Sequence, residues 1–156
     1  MKSRRVARRL ALDVLYEAEI RDGLPEEAWK AREEEGWVVP TAEDEDVELE
    51  PVGDDEFPPR DALAYARTLV HGVQEHHADI DSLIARYADR WAIQRMPVVD
   101  RTVVRMAIFE LLWCDDVPVA VAINEAVEVV KSLSTDDSGR FVNGLLGRIA
   151  EQQQLT

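Results

Sequence analysis

Cysteine is almost absent: Cys114 is the single cysteine among 156 residues. No internal disulfide can form, and a thiol following Trp113 at the end of an apolar stretch is expected to fill core. Long apolar runs are missing as well. No stretch of about 18 uncharged apolar residues occurs, and the N-terminus carries arginines within an amphipathic pattern, without an apolar segment ending in a cleavage site. A soluble, cytoplasmic protein with no membrane association is expected. Strand pairs and hairpin turns leave no signal anywhere. No serine or cysteine stands in a recognisable nucleophile signature. The glycines at 139, 144 and 147 follow no strand and make no nucleotide loop, so they read as close helix packing or helix ends. His71, His76 and His77 lack the cysteine or carboxylate spacing of a zinc site. The expectation is a protein that is not an enzyme and takes no cofactor and no metal.

Positive charge is also scarce, with 18 basic against 32 acidic residues and a net charge of −14. Long-range repulsion of that size discourages binding to a polyanion. The distribution reverses the impression. Between Asp22 and Glu56 fifteen acids face only Lys30 and Arg32, a net −13, so the rest of the chain has 17 acidic and 16 basic residues and can hold separate patches of either sign.

What is present is helical periodicity. In Arg4 to Arg21 the residues Ala7, Leu10, Ala11, Val14, Leu15 and Ala18 recur at the spacing of one buried stripe, and the helix should stop near Gly23. Pro25, followed by Glu26 and Glu27, suits the start of a short second helix. From Gly36 to Pro59 prolines, glycines and acids replace periodic apolar residues, which predicts an acidic loop or insertion at about 36–59 within a single domain spanning 1–156. Leu63, Ala66, Val70 and Val73 predict a third helix. Ile80, Leu83, Ile84 and Tyr87 predict a fourth, with Asp79 as its cap. Pro97 opens an apolar helix in which Val99, Val103, Met106, Ala107, Leu111 and Trp113 can face a core while Asp100, Arg101, Arg105 and Glu110 stay outside. Two more helices follow, over Val119 to Lys131 and from Phe141 through Ile149. The fold class is all-α.

Two groups of residues could carry chemistry. Arg4, Arg5, Arg8 and Arg9 are i, i+3 and i, i+4 neighbours on the first helix, with Asp13 the first acid after them. Cations at a helix start oppose the macrodipole, so the cluster invites phosphate or carboxylate partners, although a solvated basic end is the plain alternative. The second group is Arg140, Phe141 and Asn143, presented by the Ser134 to Gly139 loop at a helix start. Single-stranded RNA is read by stacking bases on aromatic rings and by hydrogen bonds to their edges. By residue type alone Phe141 is read as a core anchor ahead of an RNA contact, since that is the commoner fate of an aromatic at helical spacing.

Four segments in succession carry a resemblance: Arg4-Arg5-Val6-Ala7-Arg8 followed by Leu15-Tyr16, the run from Pro97 to Leu111, the run from Val117 to Lys131 containing Ala122-Ile123-Asn124-Glu125-Ala126, and Arg140-Phe141-Val142-Asn143-Gly144. In order and spacing they resemble the NusB family of bacterial transcription antitermination factors. The resemblance implies an all-α domain of two small bundles with about seven helices. It implies binding to the single-stranded boxA element of ribosomal RNA leaders beside NusE, a protein of the small ribosomal subunit, within an RNA polymerase antitermination complex. Carried over by position, Arg4, Arg5 and Arg8 belong to an arginine-rich RNA-binding end, Asp137, Arg140 and Phe141 to a second RNA-facing patch, and Tyr16 and Asp100 to partner contacts. Two other readings stand beside it. One is a helical module pairing as a homodimer through apolar faces near Trp91 and Trp113. The other is a domain like the N-terminal region of ribosomal RNA cytosine methyltransferases, which would need a cofactor domain this sequence lacks.

Overall fold

Seven α-helices and one short 3-10 turn make up the computed structural model, which describes residues 2–37, 58–88 and 93–155. No strand occurs among the described residues. Most of the acidic stretch expected as a loop at about 36–59, and Trp91, lie outside them. The described chain divides into two compact units, residues 1–71 and 72–156.

The first unit is built on α1 (Lys2–Ile20), α2 (Pro25–Glu35) and the greater part of α3 (Arg60–Glu75). The stripe of Ala7, Leu10, Ala11, Val14, Leu15 and Ala18 is buried throughout, as its spacing predicts. The helix ends one residue earlier than the glycine suggests. Asp22 takes the left-handed conformation at φ 54°, and the Gly23 N–H then reaches back to the Ala18 carbonyl at 2.9 Å. Pro25 occupies the first turn of α2 with Glu26 and Glu27, where its missing donor costs nothing. Trp29 is buried, and its indole N–H donates to Glu33 at 2.8 Å. Arg32 of α2 pairs with Glu17 of α1 at 3.4 Å.

The second unit gathers the end of α3, α4 (His77–Tyr87), a 3-10 turn (Ile93–Arg95), α5 (Val98–Trp113), α6 (Val119–Leu133) and α7 (Asp136–Gln152). Within it α5 packs against α4, α6 and α7, and all its residues from Asp100 to Leu111 except Arg101 are buried. A helix enclosed on so many sides has no solvent face for polar residues. This corrects the expectation that Asp100, Arg105 and Glu110 stay outside: they are 0%, 9% and 2% exposed. Burial of charge requires partners, and Arg105 has one in the bidentate pair with Asp81 of α4, at 2.9 and 3.1 Å. Asp79 is not the cap of α4, which begins at His77. Its carboxylate sits in the first turn, where it complements the helix dipole. Cys114 is buried, in keeping with a core-filling thiol. Gly139 lies against Lys131, but Gly144 and Gly147 have open space around them, so close packing accounts for only the first of the three.

The Asp81–Arg105 pair yields a stability prediction. Replacing Arg105 with alanine leaves Asp81 without its principal hydrogen-bonded partner in a site that is 24% exposed. Unfolding in urea should show a loss of about 2 kcal/mol, below the range for fully buried pairs because water reaches Asp81. A loss under about 0.5 kcal/mol, the size of an ordinary surface change, would show that the pair is not structural.

Candidate nucleic-acid interface

In the first unit the basic residues lie around the opening turns of α1, which has no acid in its first turn. Arg5 is exposed, Arg4 and Arg9 are half-buried, and Arg8 is buried at 6% exposure. Arg8 therefore does not join an exposed cluster of four. It faces the interior with Ala11 and Leu15, three and seven residues on, which is the spacing of one helix face. The guanidinium of Arg4 lies 3.9 Å from the centroid of the Tyr65 ring on α3. Stacking of this kind holds the plane of an arginine while its edge keeps N–H groups for an acceptor. Arg9 approaches Asp13 at 3.8 Å, a loose pair with both side chains partly exposed. Exposed pairs of this kind contribute little to stability and exchange readily for a phosphate. Tyr65 was not singled out from the sequence, where it reads only as part of the α3 pattern.

Tyr16, expected at a partner contact, is 40% exposed on the same helix. Ile20 and Leu24 follow at four-residue steps, 57% and 55% exposed. A tyrosine continued by two aliphatic side chains is a surface that excludes water on contact with a protein.

In the second unit the loop before α7 is organised by Thr135, whose side-chain oxygen accepts the Ser138 N–H at 3.0 Å in the N-cap arrangement. The cap fixes the first turn, from which Asp137 pairs with Arg140 at the start of the second, both of them exposed. Phe141 is half-buried and Asn143 is exposed. Phe141 is thus neither sealed in the core nor wholly free. Its side chain is partly accessible on the stretch of α7 that also carries the exposed Arg140 and Asn143, and a ring, a guanidinium and an amide are groups that stack and hydrogen-bond a base.

Asp100 has moved from its expected role. At 0% exposure it is beyond the reach of another macromolecule, and instead its Oδ2 accepts the Ser138 hydroxyl at 2.6 Å. The expected direct partner contact is corrected to an internal bond between α5 and α7. His76 and Trp113 are a further pairing the sequence did not disclose: their rings stack at 3.9 Å between centroids and 13° between planes. Trp113, expected to face the core, is 37% exposed. Among the described residues no helix is long and apolar enough to cross a membrane.

Residues 5–151 match the model of the NusB family. The chain is 46% identical over 151 residues to the transcription antitermination protein NusB of Salinispora arenicola (strain CNS-205), covering 97% of each chain. It is 47% identical to that of Saccharopolyspora erythraea, covering 96% of this chain and 88% of the relative. Among solved structures, NusB of T. maritima matches 96% of this chain and 91% of its own at a TM-score of 0.75 and 35% identity. A chain from a crystal structure of the antitermination factors NusB and NusE in complex with double-stranded RNA matches 97% of this chain and 98% of its own, at a TM-score of 0.75 and 27% identity.

Proposed function

Because this chain belongs to the NusB family, we propose that it is a non-enzymatic transcription antitermination factor that binds boxA RNA of ribosomal RNA leaders together with NusE in the cytoplasm. The observation that carries the reading is the start of α7, where exposed Arg140 and Asn143 flank a half-buried Phe141 in the turn that follows the capped first one. Hydrogen-bond donors held beside a partly covered ring favour an unstacked base over a paired one, because only a base that has left its stack offers both faces. Arg4, Arg5 and Arg9 are assigned to the phosphates, and Tyr16 to the protein partner. Arg8 and Asp100 are left out of the contact set, since both are buried.

Fluorescence anisotropy with a boxA-like RNA, with and without NusE and across a salt series, tests the proposal. Binding that strengthens with NusE and weakens with salt is expected. Absence of salt-sensitive binding in both conditions would defeat it.

Phe141 gives the sharper test. Removing a stacking ring costs about 1 to 3 kcal/mol per base, so Phe141→Ala should weaken RNA binding roughly tenfold or more. Phe141→Tyr keeps the ring and should bind like the unaltered protein. If both variants bind equally well, the ring is packing and not a base platform.

A further inference from the structure

Ser138 has one hydroxyl proton and three oxygen neighbours, and the allocation of that proton determines what holds α7 in place. The contact with Asp100 Oδ2 is the shortest of the three, at 2.6 Å, and a carboxylate oxygen there can only be served by a donor. Ser138 Oγ must then accept from its other two neighbours, Thr135 Oγ1 at 3.1 Å and Ser134 Oγ at 3.2 Å. With the Ser138 N–H on Thr135 Oγ1, a directed chain of hydrogen bonds runs from the cap loop through Ser138 into a carboxylate 38 residues away on α5. Ser138 is 4% exposed and Asp100 0%, so water does not compete for this bond. The second carboxylate oxygen, Oδ1, is buried and has no hydrogen-bond partner among the described residues.

We infer that Asp100 and Ser138 are positioning residues for RNA recognition: they lock the first turn of α7 onto α5 and so fix the direction in which Arg140, Phe141 and Asn143 face. This rests on the proposed function for its biological meaning, but the lock itself is a property of the second unit. The visible alternative, the ion pair of Asp137 with Arg140, cannot supply the lock. Both of its side chains are more than three-quarters exposed and move with the same turn, so the pair does not tie that turn to any other element. A buried hydrogen bond between two helices does, because breaking it strands polar groups away from water. Asp100 thus acts on RNA through α7 and never touches it.

Amide hydrogen exchange and RNA anisotropy on the full chain decide the matter together. In Ser138→Ala and in Asp100→Ala, exchange at the amides of residues 138–141 should rise, while that of the α5 and α6 amides and the helical circular dichroism stay as in the unaltered protein. Asp100→Asn retains an oxygen acceptor for Ser138 and should restore protection. Affinity for a boxA-like RNA should fall roughly fivefold or more in the two alanine variants. In an Arg140→Ala, Phe141→Ala background the further change Ser138→Ala should add nothing, because the groups being positioned are gone. Unchanged exchange at 138–141, or an undiminished additional loss in that background, overturns the inference. If exchange rises as expected but the unaltered protein binds no RNA, the lock stands and the reading of α7 as an RNA surface falls.

Discussion

Replacing Arg4, Arg5 and Arg9 together with alanine should weaken RNA binding by about a hundredfold at 0.1 M salt. The estimate follows from counterion release: on a single strand each neutralised phosphate contributes about 0.7 to the slope of log affinity against log salt, so three lost contacts remove about 2. The same count therefore sets two observables, the loss at fixed salt and the flattening of the salt dependence, and anisotropy titrations at several salt concentrations read both. The fold should survive. Arg5 is exposed, Arg9 is tied loosely to Asp13, and the stacking of Arg4 on Tyr65 lies in a partly exposed site that values it modestly. Arg8 is kept out of the set because its burial would mix stability into the measurement. An unchanged affinity or an unchanged slope would remove the start of α1 from the RNA surface.

Gly72→Ala should be strongly destabilising, by about 3 kcal/mol, with a fall of roughly 10 °C in Tm. The sign is the informative part. In an unobstructed helix interior, alanine in place of glycine stabilises by about 1 kcal/mol. Gly72 lies inside α3, yet a Cβ built there stands 2.1 Å from two ring carbons of Phe109. The ring cannot step aside freely. Phe109 is 6% exposed and lies beside His76 and Trp113, with centroids at 6.1 and 5.9 Å. Steric overlap therefore outweighs helix propensity, and Phe109→Leu in the Gly72→Ala background should recover part of the loss. A Tm equal to or above that of the unaltered protein would show that the ring does not press on Gly72.

How far the site could be read in advance varied from residue to residue. The stripe of α1 was legible because a period of 3.6 residues is local information, carried entirely by spacing. The same spacing held a signal that went unused: Arg4, Arg8, Ala11 and Leu15 lie on one face, so Arg8 belongs with the buried residues whatever its charge. The start of α7 was legible as a helix start with an aromatic beside an arginine, but α7 begins at Asp136, inside the stretch expected as loop, because Thr135 caps it. Half-burial of Phe141 was not, because it depends on what the rest of the unit places over the ring.

The sequence by itself determined an all-helical chain, its helix boundaries to within a few residues, the segregation of acid into one stretch and the family to which the chain belongs. Each of these rests on neighbours in the chain or on ordered blocks along it. The tertiary structure alone decided that the middle of α5, from Thr102 to Leu111, has no outer face, that Asp100 serves Ser138 38 residues away and that Arg105 serves Asp81 24 residues away. Charged residues on a helix normally mark its wet side. Once other helices enclose α5, desolvation forces them to find partners that no periodicity encodes.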